Sequence, residues 1–369
     1  MRHQHLFFVL LIATFLAAGC NQPVTVPHVA ETLGPSEVGG APSQNGGFGV
    51  LPKINFQTND SSDIVNIETD LPTIQPTVTV VRLPAGDLNL TEFQNLTQAI
   101  GLPAGLVGDD TRNLGYALTW TNKESAVWKY YSLDHKLTFT NDTTKPKNPI
   151  VNSWMGNEQL IDKVDVFLKL RGINEQLLKN IQIAPAWSAW LDKLDRLQGC
   201  APTDVRNQIV ALQTSDQMFD KAPPALPEVP TTGCVASYPS ILPVSFERLV
   251  DGWNIVNKDG QPELGGQILV NSQTGEMVSG WMTFPDEPQR SDYAAIDTAT
   301  LQSLLERGGL AGDLPGYKQI TDISFAFVRL SKTQTYDYSY LVPAAVAEAV
   351  RSTNLGPQRY RIVVPLIKQ

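Results

Sequence analysis

Two spacings of apolar residues divide this chain. Thr77-Val78-Thr79-Val80-Val81-Arg82-Leu83 is β-rich and close to alternating, and predicts a strand. Asn89 or Thr91 can cap a short helix with Phe93, Leu96 and Ile100 on one face, stopped by Gly101 and Pro103. Residues 116–120 and 126–131 flank the polar stretch 121–125, which is a hairpin pattern, and 136–140 follows as a further strand. The spacing then lengthens. Leu160, Ile161, Val164, Phe167 and Leu168 make one stripe over 157–171, with Asp162, Asp165 and Lys169 opposite and Gly172 as the stop. A second helical pattern holds Ile183, Trp187, Trp190, Leu191, Leu194 and Leu197. At that spacing the tryptophans read as core before they read as a ligand platform.

Residues 199–240 are rich in proline and look like an inserted excursion. From Leu242 the pattern is β again. Residues 244–250 predict a strand, and 266–271 and 276–284 predict a hairpin around the turn Ser272-Gln273-Thr274-Gly275. A short helix near 300–307 ends at Gly308-Gly309. Strands at 323–330, 336–341 and 360–367 close the chain. The expected fold class is therefore α+β: two modules of antiparallel sheet with packed helices, over 76–150 and 151–369. Ahead of them, 20–75 reads as a disordered tether. It contains Gly39-Gly40-Ala41-Pro42-Ser43-Gln44-Asn45-Gly46-Gly47 and has too little apolar content to offset its ordering entropy.

The N-terminus adds a location. Arg2 is followed by an uncharged apolar run over 6–18, shorter than the roughly 20 residues a spanning helix needs. Leu16-Ala17-Ala18-Gly19-Cys20 resembles the lipobox of a bacterial lipoprotein signal. The resemblance implies removal of 1–19, a diacylglycerol thioether on Cys20 and acylation of its new amine, commonly with palmitate. It makes the expected location the extracytoplasmic face of a cell membrane or outer membrane, held by two or more acyl chains. Asn21 does not match the Asp that favours the inner membrane in well-studied diderm bacteria, so both membranes stay open.

Charge narrows the partners. The formal net charge is −9 over 369 residues, and one unit more negative without Arg2. An acidic surface argues against nucleic acid or anionic lipid as the main partner, because phosphate recognition needs clustered Lys and Arg. Three cysteines are present. With Cys20 lipidated, Cys200 and Cys234 remain as an even pair in an exported chain, which favours a disulfide. Closing that loop would contribute about 3 to 4 kcal/mol in the entropic account.

A helix ending Phe167-Leu168-Lys169-Leu170-Arg171-Gly172-Ile173, the strand from Val244 to Gly252 and the run from Gly265 to Trp281 are similar to PepSY-type domains. They are similar also to the related extracytoplasmic regulators of the YycH/YycI kind. The stretches Tyr340 to Ala344 and Arg361 to Ile367 fit the same scheme, and the first module reads as a degenerate copy. The resemblance implies helix-on-sheet modules that bind or inhibit partner proteins outside the cell. The long tether and the insertion at 199–240 depart from it.

Catalytic chemistry has few candidates. After removal of the signal only His28 and His135 remain, too few for a histidine metal cluster or a Ser-His-Asp site. No metal, cofactor or catalytic residue is expected. Asp109-Asp110 and Asp286-Glu287 could serve carboxylate chemistry by residue type alone. Asn89, Asn95 and Asn141 match a glycosylation pattern that carries little weight in a bacterial lipoprotein. The expected function is a membrane-anchored, non-catalytic binding or regulatory module with an envelope protein partner. A carboxylate-dependent enzyme on envelope polymers and a structural spacer are the alternatives.

Overall fold

The computed structural model describes residues 47–48, 51, 54, 65–84, 117–121, 126–131, 136–170, 178–213, 221–228, 236–283, 289–310, 318–330, 338–353 and 356–368. The strands are β1 (Val65–Ile67), β2 (Thr77–Pro84), β3 (Ala117–Thr121), β4 (Ala126–Tyr131), β5 (Lys136–Asn141), β6 (Ile150–Val151), β7 (Leu178–Ile183), β8 (Tyr238–Pro239), β9 (Ile241–Val250), β10 (Trp253–Val256), β11 (Leu264–Asn271), β12 (Met277–Thr283), β13 (Gln289–Ala294), β14 (Lys318–Leu330), β15 (Tyr338–Thr353) and β16 (Gly356–Pro365). The helices are α1 (Asn157–Lys169), α2 (Pro185–Arg196), α3 (Thr203–Gln213) and α4 (Thr298–Glu306). The fold is α+β, and antiparallel pairing dominates.

Fourteen strands join in one sheet, whose main path runs β13-β2-β15-β14-β10-β9-β11-β12-β5-β4-β3. β1 and β16 branch onto β14 and β15, and β7 onto β9; β6 and β8 form a separate two-stranded ribbon. β1 and β10 run parallel to β14. β15 is 16 residues long because three neighbours share it. β14 follows it from Leu330↔Tyr340 to Gln319↔Val350, while β2 takes its start and β16 its second half.

Two cores lie along the sheet. The first packs α1, α2 and α3 on β4, β5, β7, β9, β11 and β12. The pattern of α1 explains its place: Leu160, Val164 and Leu168 are fully buried. Pro185 at the first turn of α2 starts that helix without losing a needed N–H. The second core packs α4 on β2, β14, β15 and β16, and Asp297 caps α4 by accepting from the Thr300 amide at 2.7 Å. Between them lies a small junction of Val81, Leu83, Val250, Ile255, Phe327 and Leu341.

Several expectations shift in detail. β2 pairs with β13 and β15, and β5 with β12, so strands of 76–150 pair with strands of 151–369. Leu51, Ile54 and β1 fall within the expected tether, yet Leu51 and Ile54 are buried in the second core and β1 pairs with β14. Phe48 packs against Tyr293 and Tyr340, with the Arg82 guanidinium 4.6 Å from its ring. Ile183 ends a strand and does not begin α2. The 199–240 excursion contains α3, whose Val205 and Ile209 are buried in the first core. The short helix expected near 89–100 lies outside the described residues.

Candidate binding cleft

β4, β5, α1 and the turn before β12 enclose a cleft of about 440 Å³. Alternation in β4 and β5 sends Trp128 and Phe139 to the helix side, where their rings stack at 4.8 Å. Phe167 of α1 meets Phe139 at 5.3 Å and closes the apolar wall. Ala126, Gly275 and Met277 complete the smooth part of the lining. Asn141, Thr143, Thr144 and Glu276 line its polar part.

Local hydrogen bonds fix that polar part. The Asn141 side-chain oxygen accepts from the Thr143 amide at 3.1 Å and the Thr143 hydroxyl at 2.7 Å. The Thr144 hydroxyl donates to Met277 O at 2.8 Å, which ties the end of β5 to β12. The turn opposite is built on Asn271, whose side-chain oxygen accepts from the amides of Gln273 and Thr274. Gly275 has φ +72°, and a Cβ there would lie 2.8 Å from Lys163 Cγ. Gly275 is buried against α1, while Gln273, Thr274 and Glu276 of the same turn are exposed.

A second, smaller pocket of about 200 Å³ lies where β9, β10, β14, β15 and β16 converge. Glu247 and Glu348 both line it. Asn254 donates to Glu247 at 3.0 Å. Arg361 lies 3.6 Å from Glu348 and donates to Gly260 O at 2.9 Å.

The residues singled out from sequence fall as follows. Trp187 and Trp190 are core: they pack edge to face at 5.9 Å and are 2% and 6% exposed. Their indole N–H groups donate to Lys221 O at 3.3 Å and Pro224 O at 2.6 Å, and Lys193 donates to Leu226 O at 3.0 Å. These bonds hold 221–228 against α2. Cys200 forms a β-bridge with Ala236, and Ser237 N donates to Gly199 O at 2.8 Å, so the two ends of the excursion meet. Tyr238 closes the same base by donating to Asp195 at 2.8 Å; burial pushes its hydroxyl up to about 12, and the Asp195 carboxylate adds to the shift. Cys20, Cys234, His28, His135, Asp109, Asp110, Asp286, Glu287, Asn89 and Asn95 lie outside the described residues.

The cleft is not legible in the sequence. Its aromatic residues were visible as strand and helix positions, and Asn141-Asp142-Thr143 only as a glycosylation pattern. The period-two burial of β4 and β5 pointed to one face, but not to a gap left on it. Among the described residues no group of three or more His, Cys, Asp or Glu is placed to hold a metal ion. Among them, too, no helix is long and apolar enough to cross a membrane.

Fold and cleft define an α+β protein with an aromatic, polar-rimmed concavity among its described residues. No family model and no curated protein matches the chain. Among solved structures it is similar to an uncharacterized protein from Eubacterium rectale ATCC 33656, at 10% identity and a TM-score of 0.37. That match covers 83% of this chain and 88% of the other.

Proposed function

We propose that this chain is an extracytoplasmic lipoprotein, anchored through Cys20, whose folded part is a non-catalytic binding or regulatory module. The observation that carries the binding role is the 440 Å³ cleft, a size typical of ligand pockets, with an aromatic wall and a few fixed polar groups. Amide and hydroxyl groups of this kind orient a ligand. The anchor rests on the lipobox resemblance at Leu16 to Cys20. In this reading the two expected modules, 76–150 and 151–369, cooperate through the shared sheet. Cys200 and Cys234 form a disulfide at the base of the excursion, as the Cys200–Ala236 bridge favours.

Two measurements test the anchor and the bridge. Cys20→Ala should abolish acyl labelling and leave the signal uncleaved, and equal labelling of the variant would sink the anchor. Non-reducing peptide mapping should join Cys200 to Cys234; blocked free thiols at both positions would disprove the pair. Binding itself is tested by crosslinking from intact cells: ligand capture should fall when Phe167 is replaced by Ala, and capture unchanged by that replacement removes the cleft from the reading.

A second reading is favoured by one observation: Glu247 and Glu348 share the smaller pocket. Paired carboxylates are the minimum for glycoside hydrolysis. Each, however, has a partner, Asn254 for Glu247 and Arg361 for Glu348. An envelope-polymer-degrading activity lost in Glu247→Gln or Glu348→Gln would establish the enzyme over the binding module.

A further inference from the structure

We infer that the larger cleft is a saccharide site, shaped for a mono- or disaccharide carrying an acetamido group; this rests on the binding-module reading above. Among the described residues that line it the charged one is Glu276, an acid, which disfavours a phosphate or carboxylate ligand. What the lining does offer is a donor and an acceptor beside an aromatic wall. Two hydrogen bonds from Thr143 hold the Asn141 carbonyl oxygen, which turns its NH₂ group the other way. Glu276 supplies the acceptor, its carboxylate steadied by the Thr274 hydroxyl at 2.9 Å. An acetamido group is the complement of that pair, since its carbonyl accepts and its N–H donates. The C–H face of a pyranose ring matches the half-buried Phe167 ring, which Phe139 and Trp128 back from inside the core, because aromatic rings carry negative faces and pack against polarised C–H groups.

Strand pairing argues against an extended peptide as the occupant. A peptide added to a sheet needs an unpaired strand edge. The cleft strands have none to offer: β4 lies between β3 and β5, β5 between β4 and β12, and β12 between β5 and β11. Recognition here runs through side chains.

The test uses the full chain purified in detergent, titrated calorimetrically with N,N′-diacetylchitobiose, cellobiose and an acetylated tripeptide. The expected result is saturable binding of the acetamido sugar, at least tenfold weaker binding of cellobiose, and at least tenfold weaker sugar binding in Asn141→Ala and in Glu276→Ala. Glu276 is exposed, so its variant keeps the fold if Asn141→Ala does not; thermal unfolding checks both. Equal affinity of the two sugars, sugar binding untouched by both variants, or no sugar binding overturns the assignment. Tripeptide binding that Asn141→Ala weakens also overturns it while leaving the binding module intact. Silence of all three probes, together with crosslinking capture unchanged by Phe167→Ala, takes down both.

Discussion

The indole N–H of Trp190 ends on the carbonyl oxygen of Pro224, 2.6 Å away and buried. A proline-rich arm with little regular structure is thereby fastened to the helix that supports the first core. Trp190→Phe keeps most of the ring and removes the donor. The orphaned carbonyl should lower stability by about 1–3 kcal/mol. Limited proteolysis should then cut around 221–228 sooner than in the parent chain. Unchanged cleavage would mean that Trp187 and Lys193 hold the arm alone.

Ile209 of α3 is fully buried although it sits in a stretch that reads as a surface excursion. Ile209→Ala should cost about 2–5 kcal/mol, the usual range for a large-to-small change in a core. Urea unfolding measures it, and a loss near zero would place α3 outside the core.

Gly266 of β11 is closed in by the Phe246 ring and by Trp281 O, which would lie 2.6 Å from an added Cβ. Backbone on one side cannot yield cheaply. Gly266→Ala should destabilise by about 1–3 kcal/mol through overpacking. Hydrogen exchange should show the loss spread over β9, β11 and β12, and a neutral result would mean that the sheet opens there without cost.

Burial pushes the Tyr293 hydroxyl up to about 12, as it does that of Tyr238. An unfolded tyrosine titrates near 10. The folded state therefore holds these protons more tightly, and the stability they contribute is complete below about pH 10 and lost as the pH rises towards 12. Urea midpoints should stay level from pH 8 to about 10 and then fall. Tyr293→Phe should flatten the fall, and an equally steep fall in the variant would assign it elsewhere.

The strands and helices with strong periodicity were readable in advance. β2, β4, β5, α1 and α4 lie within a few residues of where their patterns put them. Where sequence misleads, neighbours decide. Residues 343–350 read Pro-Ala-Ala-Val-Ala-Glu-Ala-Val, a composition without strand preference, yet β15 runs through them because β14 and β16 pair on both sides. α3 was hidden by prolines around it, and β7 by a stretch without alternation that includes Asn180 at φ +54°. The cleft was not readable at all. Its walls come from β4, β5, α1 and the Gly275 turn, and only their packing leaves the space between Phe167 and Asn141 unfilled.

The second core draws on both ends of the chain. Thr79 donates to Asp292 at 2.8 Å across a separation of 213 residues. A ribosome working at roughly 5–20 residues per second needs about 10 to 40 seconds to deliver the second partner after the first. The first core, made from residues that emerge in between, can consolidate during that wait. β2 cannot: its apolar face stays unpaired until β13 and β15 exist. The protein is therefore built inside out in time, its middle before its margins, and a chain cut short before β13 leaves β2 with nothing to join.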